Sequence, residues 1–450
     1  MARGSRFSRD PFEATIDGLT HDGRGVARRE GKAVFVRGAL PGERVTAQLT
    51  AKHRNYDEAA VVDVLDASPD RVVPACGHFG HCSGCVLQHL DAARQIECKQ
   101  NVLLENLERI GHVTPWRVLA PLTDVPWGYR RKGRLSVRYV TKKERTLVGF
   151  REDDPRFVAD IRHCHTVVPE IGTRIGAFAE MIDTLDGKRD IPQIEFIVGD
   201  RPADADDASR SQVALVFRHV QPLSEHDSQA LVAFAQRFDY AIYLQPGGVD
   251  SVRPLWPADG VALRFLLPDH ALDIAFQPLD FIQVNAGMNA KMIARTLELL
   301  DPQPGQRVLD LFCGLGNFTL PIARRVAEVV GVEGDAGLVA RARANAQRNG
   351  IANARFHAAD LASPLAYEPW LGEAFDTVLL DPPRSGAEAL LPQLKLGKVD
   401  RIVYVSCHPG SLARDAGFLV RERGFRLRAA GVMDMFPHTA HVESIALFER

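Results

Sequence analysis

The sequence predicts an α/β protein: an open, doubly wound sheet in the C-terminal part, preceded by a small β-barrel and a central α+β segment. Three observations carry this expectation. From about residue 276, apolar strand-like runs such as 307–312, 327–332, 375–380 and 402–406 alternate with amphipathic helical patterns. Polar groups stand where those runs end, at Asp310, Glu333, Asp360, Asp381 and Cys407. Residues 11 to about 68 instead alternate short β-branched runs with the turn pairs Asp17-Gly18, Asp22-Gly23, Arg37-Gly38 and Pro41-Gly42.

Size and composition bound the function. A chain of 450 residues has room for two or three domains and ample core. Net charge is -2, so any nucleic-acid surface must be a local patch. Seven cysteines, at 76, 82, 85, 98, 164, 313 and 407, are odd in number and clustered, which favours reduced thiols, a metal site or a nucleophile over a disulfide framework. The charged start 1–7 has no apolar run behind it, and no run reaches membrane-spanning length. The expectation is a cytoplasmic monomer with no membrane association and no obligate protein partner.

Taken in order, residues 1–70 are expected to form a barrel of oligonucleotide-binding type. Arg24, Arg28, Arg29 and Lys32 crowd its first hairpin, where a solvated face is the plain alternative to a binding surface. The runs 23–28, 35–36 and 41–45 resemble the TRAM domain, an RNA-binding barrel.

Residues 71–275 form the expected central domain. Cys76, Cys82 and Cys85 lie within ten residues among Gly and Ser, so a tight loop can bring three thiols together. Cys164 in Arg162-His163-Cys164-His165 is the candidate fourth ligand. Four thiolates suit zinc or an iron–sulfur cluster, and His78, His81, His163 and His165 are further possible ligands. The C-x5-C-x2-C spacing differs from the C-x3-C-x2-C loop of radical enzymes that cleave S-adenosylmethionine. Cys98, in a helical stretch from Leu90 to Ile110, reads as a packing residue. From Trp127 to Arg151 basic residues interleave with aromatics, a pattern that fits RNA phosphates and splayed bases, or else a solvated strand face.

In the domain 276–450, Gly314 and Gly316 follow the first strand and Glu333 ends the second, about twenty residues on. An acid there accepts hydrogen bonds from ribose hydroxyls. The missing third glycine disfavours a pyrophosphate and favours a nucleoside such as S-adenosylmethionine. Cys407 ends a buried strand, and Pro409-Gly410 opens a helix behind it. A thiol facing a helix N-terminus is expected to have a depressed pKa. By itself it reads equally well as a small buried residue.

The segments 281–285, 310–318, 331–333, 380–384, 405–409 and 441–444 together resemble the RNA (uracil-C5)-methyltransferases. Adding the TRAM-like start and the four-cysteine pattern makes the chain similar to the branch that methylates 23S ribosomal RNA. The resemblance implies a Rossmann-like class I methyltransferase fold. It implies a [4Fe–4S] cluster on Cys76, Cys82, Cys85 and Cys164, and S-adenosylmethionine among Gln283, Phe312, Asn317, Glu333, Asp360 and Asp381. It further implies that the helix of about 90–112 packs on the methyltransferase domain. Carbon 5 of uracil is too poor a nucleophile to accept a methyl unaided; addition of a Cys407 thiolate at carbon 6 turns it into an enolate. Glu443 is the expected base for the carbon 5 proton, with His441 its competitor. His408 stands where many relatives have Asn.

Three rivals remain. Asp381-Pro382-Pro383-Arg384 is similar to loops of amino-group N-methyltransferases, which need no thiol. A metal-containing RNA-binding protein with an inactive sheet domain would not bind the methyl donor. A transfer-RNA methyltransferase of the same family would generally lack both barrel and cluster.

Overall fold

The computed structural model describes residues 10–20, 22–201, 211–365 and 368–450. The charged start 1–7 lies outside them. The C-terminal part is an eight-stranded sheet. Its order is Ala354–Ala358, Glu328–Glu333, Arg307–Leu311, Thr377–Leu380, Arg401–Ser406, Glu443–Glu449, Arg426–Met433 and Arg117–Val118. The first five strands are mutually parallel, and Glu443–Glu449 runs antiparallel to both neighbours. Parallel strands must be covered on both faces, which is why Val378, Leu379, Leu380, Ile402, Val403 and Tyr404 are all buried.

Sheet and helix cover reach back into earlier chain. Helix Ala92–Asn106 begins at Asp91, whose side chain accepts the Ala93 N–H at 3.0 Å. It runs on through a wider turn, Leu107–Gly111. Its Ile96, Leu103 and Leu107 join one apolar cluster with Leu412, Ala416 and Leu419 of helix Pro409–Arg423. The approach is close enough that a Cβ on Gly417 would sit 2.6 Å from the Gly111 carbonyl oxygen, so glycine is required there.

The central region has its own six-stranded sheet, ordered Arg253–Trp256, Tyr240–Gln245, Gln212–Arg218, Gln193–Gly199, Lys132–Val140 and Arg145–Gly149. One of its faces (Ile197, Ala214, Tyr243) shares a core with Met292, Ile293 and Val308 of the C-terminal part. The N-terminal six strands, Phe12–Thr15 through Tyr56–Asp66, enclose a small core of Val34, Val36, Val45 and Ala59.

Several residues of the two basic runs pair with acids, and one is buried. Arg131 is buried, its backbone N–H donating to the Val284 carbonyl at 2.9 Å. Lys132 and Arg134 both pair with Glu195, and Lys143 and Arg145 with Asp160. In the barrel, Arg24 pairs with Asp22 and Glu58, and Lys32 with Asp57. Of the four hairpin cations, Arg28 is exposed and Arg29 lies 4.4 Å over the Phe12 ring. Asp22 is adjacent in sequence, but Glu58, Asp57, Glu195 and Asp160 meet their cations only through the fold. Among the described residues, no helix is long and apolar enough to cross a membrane.

Candidate active site and metal centre

Strand register brings the reactive side chains together. Ser406 pairs with Ser444, so Cys407 and Glu443 stand side by side at one end of adjacent antiparallel strands. Asp381 follows Leu380, which pairs with Tyr404 in the parallel neighbour, so the carboxyl stands at the same edge. Their electrostatics confirm the proximity. The Cys407 thiol is pushed up to about 11, by burial first and then by Glu443 and Asp381, with Arg384 opposing. The expected depression is therefore not found: desolvation and two acids outweigh the helix end. Burial likewise raises Glu443 to about 7 against the pull of Lys99 and Arg384, and raises Asp381 to about 8, with Glu443 and Glu333 adding to it.

The helix behind the thiol has an unusual cap. His408 Nδ1 accepts the Ser411 N–H at 3.1 Å, leaving its ring proton on Nε2 by hydrogen-bond geometry. His408 thus fills the N-cap. His441 sits at the rim, its Nδ1 3.2 Å from Arg384 Nη2. Burial and the cations Arg384, Arg130 and Lys99 hold its imidazole down at about 4.

At the neighbouring strand ends, Glu333 accepts N–H groups from Gly314 at 3.1 Å, Gly334 at 2.8 Å and Asp335 at 3.2 Å, which fixes its carboxylate beside the glycine turn. Phe312 adopts φ +66°, a conformation rare outside glycine and held here by its N–H to the Val332 carbonyl at 2.8 Å. The Asn317 amide is locked in a reciprocal pair with Asn289, 2.9 Å each way. Gln283 is half-buried, and its carbonyl accepts from Arg131 Nε at 3.2 Å. Asp360 is exposed, two residues past its strand, and binds its own loop through Ala362 N–H and Ser363 Oγ. Asp310 departs from the expectation of a strand-end group: it lies inside the strand, fully buried, accepting from Thr319 Oγ1. Burial raises it to about 7, with Asp381 and Glu333 adding to the effect.

Cys76, Cys82, Cys85 and Cys164 line one cavity with His78 and His163. All four are free and half-buried. Burial lifts Cys82 to about 11 and Cys85 to about 12, with the other thiols contributing. Cys164 is held by its N–H to the Gly172 carbonyl at 2.8 Å, an approach that any side chain at Gly172 would block.

Sequence reasoning missed Lys99. Helix Ala92–Asn106 buries Gln95, Ile96, Lys99 and Leu103 on one stripe, and two long polar residues on an apolar face were the available signal.

Comparison with known proteins agrees with this geometry. The family described as tRNA (Uracil-5-)-methyltransferase matches residues 267–450, and the TRAM domain matches 7–62. A protein of Xanthomonas euvesicatoria pv. vesicatoria named 23S rRNA (uracil(1939)-C(5))-methyltransferase RlmD is 65% identical over 454 residues, covering 100% of both chains. A protein of the same name from Stenotrophomonas maltophilia (strain K279a) is 63% identical with the same coverage. The crystal structure of Pyrococcus abyssi tRNA (uracil-54, C5)-methyltransferase, solved with S-adenosyl-L-homocysteine, aligns with a TM-score of 0.70 at 24% identity, covering 97% of this chain and 100% of that one. The fold is that of the class I methyltransferases, with a TRAM domain at its N-terminal end. The chain belongs to the RNA (uracil-C5)-methyltransferase family, together with the proteins named 23S rRNA (uracil(1939)-C(5))-methyltransferase RlmD.

Proposed function

We propose that the protein transfers a methyl group from S-adenosylmethionine to carbon 5 of one uridine in 23S ribosomal RNA, the equivalent of U1939. The observation that carries this reading is the pairing of Cys407 with Glu443 at adjacent strand ends, each within the other's electrostatic reach. In this reading Cys407 adds as thiolate to carbon 6, and Glu443, near neutrality, takes the proton from carbon 5 after methylation. The segments divide the work: 1–70 and 71–275 hold RNA and cluster, 276–450 carries out the chemistry, and the helix of about 90–112 serves the last of these.

S-adenosylmethionine, when bound, supplies an electrophilic methyl. The residues fit it: burial raises the proton affinity of Asp310 and Asp381, the charges of Asp381 and Glu333 add to it at Asp310 and those of Glu443 and Glu333 at Asp381, and such a concentration of negative potential suits a ligand carrying a sulfonium and an ammonium. Glu333 and Asp381 would border it, with Gln283, Phe312, Asn317 and Asp360 around them.

For the cysteine site the donor set supports a [4Fe–4S] cluster over a single zinc. Tetrahedral zinc with bonds of about 2.3 Å needs sulfurs about 3.8 Å apart. Among the described residues, no three of these thiols lie within 4.8 Å of one another. That wider spread suits a four-iron core. The buried thiols, costly to ionise alone, would hold the cluster, whose positive charge would compensate their ionisation.

RNA carrying 5-fluorouridine at the target tests the chemistry. Fluorine cannot leave as a cation, so a methylated adduct is expected to accumulate on the peptide containing Cys407. Methylation of ordinary RNA without any such adduct rejects thiol addition, and retained activity in Cys407→Ala would point to the N-methyltransferase reading. Transcripts of 23S and transfer RNA, run side by side, separate the two substrate classes.

A further inference from the structure

The segment leading into Glu443 is held by the chain that follows the cysteine loop. Val86 and Leu87 donate their N–H groups to the His438 carbonyl at 2.9 and 3.0 Å, and Gln95 Oε1 accepts the His438 N–H at 3.0 Å. One turn on, Lys99 Nζ donates to Asp434 Oδ1 at 2.7 Å and to the Phe436 carbonyl at 3.0 Å. Lys99 is 3% exposed. A buried ammonium–carboxylate pair is seldom the most stable solution for such a position, since apolar side chains of similar volume often do as well or better. Stability alone therefore gives no reason for it.

The surroundings of Glu443 give one. It is faced by two cations, Lys99 from helix Ala92–Asn106 and Arg384 from the loop after Thr377–Leu380, and by two acids, Asp381 and the Cys407 thiol. Asp434 pairs with Lys99, and His441 lies two residues away beside Arg384. Lys99 is the buried member of the cation pair, while Arg384 is exposed.

We propose that Lys99 is a positioning residue for the proton-removal step: its ammonium anchors the 434–443 segment and keeps the Glu443 carboxylate charged. This rests on the uracil-methylation reading above. In that step the carbon 5–hydrogen bond breaks and its proton passes to Glu443. The bond's electron pair restores the carbon 5–carbon 6 double bond as the Cys407 sulfur leaves carbon 6 as thiolate. A carboxylate that is already protonated cannot accept that proton.

The test compares wild-type holoenzyme with Lys99→Met, Lys99→Gln and Lys99→Arg. It measures kcat from pH 6 to 9, the KM for a 23S RNA fragment, and adduct formation on its 5-fluorouridine form. Lys99→Gln keeps a hydrogen-bonding group near Asp434 and Phe436, so it still reports if the Met variant does not fold. Loss of the charge should move the acidic limb of kcat upward by about one pH unit. At pH 7, kcat then falls about fivefold and recovers at pH 9, while the RNA KM and the adduct yield hold, because trapping precedes proton removal. Lys99→Arg should keep the wild-type profile. An unmoved limb in Lys99→Gln, an equal loss at every pH, or a shift in Lys99→Arg overturns the proposal. Absence of adduct in the wild type overturns the underlying reading instead.

Discussion

Cys407, the proposed nucleophile, is held by burial and neighbouring acids in its protonated form. With the thiol at about 11, only about one in ten thousand molecules is thiolate at pH 7. Besides burial, two acids, Glu443 and Asp381, hold it there, so removing one has an expected direction. Glu443→Gln should speed alkylation of Cys407 by iodoacetamide in ligand-free enzyme, followed by peptide mass spectrometry at pH 8, while methyl turnover falls by 10²–10⁴-fold, the usual worth of a general base. Slower alkylation in that variant would mean that Glu443 does not face the sulfur. The two strand ends were legible in the sequence, Ser-Cys closing one and Glu-Ser opening the other; their antiparallel register was not. The sign of the thiol's shift was not, since the helix end could be seen in the sequence and the desolvation could not.

At the scale of elements, helix Pro409–Arg423 depends on a histidine cap directly after the nucleophile. His408→Ala should destabilise the protein by about 1 kcal/mol in urea unfolding, and His408→Asn should restore most of it, because an Asn side chain accepts the same N–H. Equal losses in both would show that the ring matters for something other than the cap. The helix after the three cysteines was recognisable from its periodicity, but not where Gln95 and Lys99 end up. Their partners lie more than three hundred residues further on, at His438 and Asp434. The ion-pair partners of the basic run from Trp127 were hidden for the same reason: Glu195 and Asp160 meet it only in the fold.

In the whole molecule the four-cysteine site and the segment leading to Glu443 share a boundary. Cys85 is followed at once by Val86 and Leu87, whose N–H groups hold His438, and Trp127 stacks on the His438 ring at 3.9 Å. Protein purified without oxygen should contain about four irons and four sulfides per chain. Cys85→Ser should lose them, and amide hydrogen exchange across 434–441 should then rise by at least an order of magnitude while the barrel strands keep their protection. Unchanged exchange across 434–441 would separate cluster from catalytic segment; one zinc per chain would replace the cluster assignment. The doubly wound sheet and the barrel were readable from alternation and turns. The shared core of the central and C-terminal sheets was not, because both of its faces read simply as apolar.

The edge strand Arg117–Val118 pairs with Arg426–Met433, some three hundred residues downstream. On a ribosome adding about 5–20 residues per second, the earlier strand waits roughly 15–60 s for its partner. Through that interval the apolar stripe of the preceding helix, Ile96, Leu103 and Leu107, has no finished surface to cover it. Truncation near the C-terminus should therefore leave the N-terminal half sticky rather than merely inactive, which aggregation measured by light scattering would show.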